Sequence, residues 1–105
     1  MSRIFISDVA GWFSSMPMII QRALLVECTR VIVTHGEYDA ASIFVTYSDR
    51  GQCKVAINYF GENAAFAVSA PWFNDIEECV GKLIVKSKSR LPWKQNNGWL
   101  SGVTQ

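Results

Sequence analysis

The chain has 105 residues, half of them hydrophobic and 18% charged, with a formal net charge of +1. That composition excludes a disordered polymer and fits a single globular domain over 1–105, able to hold one core without staples. The near-neutral total hides an asymmetry: nine acids and five bases occupy the first 78 residues, while the last 27 carry five bases and no acid.

The three cysteines, Cys28, Cys53 and Cys79, form an odd set without a C-x-x-C pair. This resembles neither a disulfide framework nor a zinc site, so packed free thiols in a reducing compartment are expected. Arg22, Glu27 and Arg30 interrupt the longest apolar stretch, Met16 to Val33, and rule it out as an ordinary membrane span. No apolar leader precedes a small-residue cleavage site. The expectation is a cytoplasmic protein with no membrane partner.

Taken in chain order, Ser7-Asp8 opens a stretch ending near Phe13 that reads as one or two helical turns, weakened by Gly11. Ser14-Ser15 before Met16-Pro17 then signals a helix start. Ile20, Leu24, Cys28 and Val31 repeat at helical spacing, and Ile19, Ala23, Leu25, Val26 and Ile32 widen the stripe. A central helix covered on most sides is expected over 16–35, ending at His35-Gly36.

The period changes to two after Asp39. Ser42–Tyr47 and Cys53–Phe60 read as strands joined by a five-residue loop, in which Gly51 supplies a positive φ. Gly61-Glu62-Asn63 makes the next turn, and Ala64–Ala70 forms a third strand stopped by Pro71. Asn74-Asp75-Ile76-Glu77 reads as a capping box for a helix to about Arg90, with Ile76, Val80, Leu83 and Ile84 as its buried stripe. Acids fill its first turn and bases its last, as the helix dipole favours. Leu91-Pro92 ends it, leaving a Trp-containing tail over 91–105. The sum is a two-layer α+β domain: a short N-terminal helix, then α-β-β-β-α, with a three-stranded antiparallel meander packed on helices.

No catalytic, metal or cofactor site is expected. His35 is the only histidine, and no local signature sets Cys28 or Cys79 beside it as a nucleophile. Adjacent Glu77 and Glu78 point to different helix faces and cannot work as a facing pair. Glu37 and Asp39 lack metal-ligand spacing. Phosphate-loop, dinucleotide and nucleophile-elbow motifs are absent from the sequence.

The basic run offers a nucleic-acid reading. Lys82, Lys86 and Arg90 are four residues apart on one helix face, with Lys88 and Lys94 nearby and Trp93 placed to stack a base. The competing reading is a solvated face favoured by the dipole. The order α-β-β-β-α resembles that of double-stranded RNA-binding domains, which implies lysines at the start of the final helix. Here that position reads Asn74-Asp75-Ile76-Glu77-Glu78, so the resemblance is in element order only and carries no function.

The aromatic residues point elsewhere. Trp93, Trp99 and Leu100 lie among polar residues and are hard to bury within the chain, as hot-spot anchors are. The 42–47 strand has neither proline nor lysine to blunt its edge. The reading favoured by the sequence is a non-catalytic protein-interaction domain, similar in build to small accessory proteins. It would bind a partner protein, or itself as a homodimer, through a strand edge and the aromatic tail. The nucleic-acid module is the alternative. A third reading is a small-molecule pocket between helix and sheet, lined by Tyr59, Phe66 and Trp72.

Overall fold

The computed structural model describes residues 3–93. Five expected elements are present: helix α1 (Met18–Thr34), strands β2 (Ala40–Tyr47), β3 (Cys53–Phe60) and β4 (Ala65–Phe73), and helix α2 (Ile76–Arg90), but Pro71 does not stop β4, which runs on to pair Phe73 with Cys53. The sixth, strand β1 (Arg3–Ser7), precedes them all, and the sheet order is β1-β2-β3-β4. β2, β3 and β4 pair antiparallel, as the meander requires, whereas β1 lies parallel to β2. A parallel neighbour needs a long crossover, and α1 is that crossover.

The α+β class therefore stands, with two differences in detail. The meander is part of a four-stranded mixed sheet, so β2 is an interior strand and its unblunted edge is covered by β1. The short N-terminal helix shrinks to a single 3-10 turn, Val9–Gly11. Ala10 and Gly11 adopt φ of +56° and +69°, a left-handed step that no α-helix can contain. Asp8 organises this corner by accepting from the Phe13 and Ser14 amides, at 2.9 and 3.2 Å, and from the Ser14 hydroxyl.

Alternation along the strands sends Ile43, Val45, Val55, Ile57 and Tyr59 to one sheet face, where all are essentially buried. Both helices pack there, α1 with Ile20, Leu24, Cys28 and Val31 and α2 with Cys79, Val80 and Leu83. The opposite sheet face has no covering layer among the described residues. Near the end of β4 the register slips, with Cys53 opposite Phe73 but Val55 opposite Ala70. This bulge returns Phe73 to the core and turns Trp72 outward beside Lys54. The thiols of Cys53 and Cys79 donate to the Phe73 and Ala70 carbonyls, at 3.3 and 3.1 Å, beside the irregularity.

Turn chemistry follows the residues. Gly51 has φ +80°, as the β2–β3 loop demands, and Gly61 lies so close to the Glu37 carbonyl that a Cβ would come within 1.9 Å of its oxygen. The cap of α2 sits one residue later than the sequence suggests: Asp75, not Asn74, accepts from the Glu78 amide at 2.9 Å. His35 caps α1 in an extended conformation, its amide donating to Val31, and Gly36 needs no left-handed φ.

Candidate interaction surfaces

The polar groups inside the molecule hold it together. Glu27 is 2% exposed, and Arg30 grips it with two bonds, Nε to Oε1 at 3.0 Å and Nη2 to Oε2 at 2.8 Å. Ser87 of α2 donates to the same carboxylate at 2.6 Å, and Arg30 Nη2 also donates to the Leu91 carbonyl at 2.7 Å. One acid thus joins both helices and the exit of α2, and its hydrogen bonds raise the pKa of Arg30. Tyr59 lies alongside, its hydroxyl buried without a hydrogen bond of good geometry and its pKa raised by that burial.

The interior thiols are poorly suited to nucleophilic chemistry at neutral pH. Burial pushes the Cys28 and Cys79 thiols up to about 12, and raises Cys53 as well. A thiol held protonated is a weak nucleophile. His35 is also buried, with Nε2 unpartnered among the described residues. Among those residues no group of three or more His, Cys, Asp or Glu is placed to hold a metal ion. No helix among them is long and apolar enough to cross a membrane.

The outer surface is more distinctive. α1 is not covered on most sides: Met18, Ile19, Val26 and Val33 are 61–74% exposed. The sequence is apolar nearly all round this helix, yet the sheet and α2 can only cover one side of a cylinder. Trp93, 67% exposed, stands beside this stripe, and with Leu25, Val26, Thr29 and Val33 it borders an open, almost wholly apolar groove of about 410 Å³. The expected aromatic anchor is therefore joined to a helix face that sequence reasoning had assigned to the core. Trp99, Leu100 and Lys94 lie outside the described residues.

The basic ridge is only partly open to solvent ligands. Lys82, Lys86, Lys88 and Arg90 are all exposed, but two of them engage β4. Lys86 Nζ donates to the Ser69 carbonyl at 2.6 Å, and the Arg90 guanidinium sits 5.0 Å from the Phe66 ring centre. These two side chains also shield the outer edge of β4, as charged residues on edge strands do.

The residues of the pocket reading do not converge. Tyr59 and Phe66 are cross-strand partners on the helix side, Tyr59 fully buried, whereas Trp72 faces the open side. The bulge separates them, and a short slip of that kind leaves no mark in the alternation.

Neither a family model nor a curated protein matches the sequence. Solved structures do match the fold. A ribosomal subunit interface protein from Coxiella burnetii superimposes with a TM-score of 0.61 at 14% identity, over 85% of this chain and 92% of that one. The N-terminal domain of Protein Y from Thermus thermophilus gives 0.58 at 9% identity, over 87% and 96%. At such identities the likeness is one of fold.

Proposed function

We propose that this chain is a small, non-catalytic, cytoplasmic interaction protein that associates with the ribosome, docking through the outer face of α1 and Trp93. The observation that carries the interaction role is the uncovered stripe of Met18, Ile19, Val26 and Val33 beside the Trp93 groove. Exposed apolar side chains of this kind, with only Arg22 and Thr29 among them and a tryptophan beside them, support a docking role. The choice of partner is supported by the fold, since one protein with this arrangement is described as a ribosomal subunit interface protein.

The test is sedimentation with purified ribosomal subunits on a sucrose gradient at low and moderate salt. The wild type is expected to travel with a subunit, and Val26→Glu/Val33→Glu to remain at the top. A wild-type protein that stays at the top under every condition removes the ribosome as partner.

A second reading, the homodimer, is favoured by one detail. Ile19, Val26 and Val33 are seven residues apart on the exposed side of α1. An antiparallel pairing of two copies about Val26 sets Ile19 of each against Val33 of the other. Sedimentation equilibrium at high concentration decides this: a strictly monomeric protein rejects it.

A further inference from the structure

The open face of the sheet carries a pattern that neither the basic ridge nor the α1 stripe uses. Pairing aligns its outward residues in four rows across the strands. Phe60 stands in the row with Arg3 and Ala40, and Phe5 in the row with Ser42 and Asn58. Phe44 stands in the row with Ala56 and Ser69, and Trp72 stands by Lys54 at the bulge. Each row therefore holds one large ring, and successive rows are roughly 7 Å apart along the strands. The remaining outward positions are alanine, serine, threonine or asparagine apart from Arg3, Lys54 and Pro71, so the rings rise from a low floor.

These rings are not buried by neighbours: Phe5 is 51% exposed, Trp72 44%, Phe44 39% and Phe60 37%. The charges within the strands have one sign, and the acids Glu37, Asp39 and Glu62 lie beyond the strand ends at one rim of the sheet. None of the nine acids of the chain lies within a strand, while Arg3 and Lys54 both do. Lys54 Nζ lies 6.0 Å from the Trp72 ring centre.

We infer that the open sheet face is a binding site for single-stranded RNA, with Phe5, Phe44, Phe60 and Trp72 as stacking surfaces and Arg3 and Lys54 as phosphate contacts. Flat aromatic faces stack on unpaired bases of any sequence, and cations among them hold the backbone. A protein partner of the same apolarity would want complementary side-chain pockets, whereas this floor is flat, and its charge is of the sign a polyanion selects. The choice of RNA over single-stranded DNA rests on the ribosomal reading above; the stacking surface itself does not.

The experiment is fluorescence anisotropy of the full chain with labelled decamers of single-stranded RNA, duplex RNA and single-stranded DNA, across a salt series. Single-stranded RNA is expected to bind most tightly, with affinity falling as salt rises. Phe44→Leu and Trp72→Leu keep the surface apolar but remove the stacking plane, and each is expected to weaken binding about tenfold or more. Lys54→Gln should lower the slope against log salt by about 0.7, one phosphate contact on a single strand. Circular dichroism verifies that each variant is folded.

Three results overturn the inference. They are no binding of single strands at low salt, tighter binding of duplex than of single strands, and binding indifferent to both leucine variants but lost in Lys82→Glu/Lys88→Glu. A protein that binds oligonucleotides through the sheet yet fails to sediment with subunits keeps this site and loses the ribosomal partner. One that sediments with subunits yet ignores oligonucleotides does the reverse.

Discussion

α1 and α2 are similar in length, 17 and 15 residues, and lie on the same face of the same sheet, yet they distribute charge in opposite ways. α2 follows the ordinary scheme, with Glu77 and Glu78 in its first turn, Lys88 and Arg90 in its last, and Val80 and Leu83 inside. α1 turns Glu27 inward with Arg30 closing over it, and turns Ile19, Val26 and Val33 outward. A buried acid costs desolvation, and here two guanidinium bonds and the Ser87 hydroxyl offset it. The lesson is that charge in a helix is a statement about partners before it is one about solvent.

The contrast can be broken most forcefully at Glu27. Glu27→Ala should cost about 3–5 kcal/mol in urea denaturation by stranding Arg30, whereas Lys82→Ala on α2 should change stability by less than about 0.5 kcal/mol. If the two variants are equally mild, the buried Glu27 carboxylate is not what joins the helices.

Removing the α2 cap tests the orthodox helix at its start. Asp75→Ala should lower stability by about 1 kcal/mol, since it leaves the Glu78 amide without its side-chain acceptor. A neutral result would assign the start of α2 to packing by Ile76 and Cys79.

Smaller still, Val33→Lys on the outer face of α1 should stay within about 0.5 kcal/mol of the parent while weakening subunit sedimentation. A marked loss of stability would mean that this face is covered within the chain itself.

The smallest effect concerns the corner leading into α1. Bonds from Ser14 hold the Asp8 carboxyl below its usual range near 3.8, so folding favours the ionised form. Its contribution is present above the unfolded value and fades as pH falls through the lowered folded one. The protection factors of the Phe13 and Ser14 amides, taken relative to intrinsic exchange at each pH, should fall over that acid window, and Asp8→Asn should abolish the dependence.

Much of the fold was legible because it is periodic. Ile20, Leu24, Cys28 and Val31 mark the buried side of α1, and Cys53 to Tyr59 alternate cleanly. What escaped is non-local. Arg3–Ser7 is only five residues long, and its parallel pairing to β2 cannot be read from its neighbours. Glu27 and Arg30 looked like interruptions in an apolar run, although their spacing of three residues was the available sign of a pair. The exposure of Val26 and Val33 was hidden because side chains alone do not tell which side of an apolar helix the sheet will take. The candidate sites differ accordingly: polar neighbours in the sequence point to the exposure of Trp93, while a bulge that leaves no mark in the alternation turns Trp72 away from Tyr59.

The parallel strand also bears on how the chain folds. β2, β3 and β4 meet through short turns, so their closure is local and fast. β1 meets β2 across the whole of α1, pairing Arg3 with Ala40 and Ser7 with Phe44, a loop whose entropy must be overcome before any ladder bond forms. β1 is therefore expected to dock last and to leave first, which strand-resolved amide exchange would test. Arg3 and Phe5 leave with it, so the outermost part of the open sheet face has its own opening equilibrium, separate from that of the core.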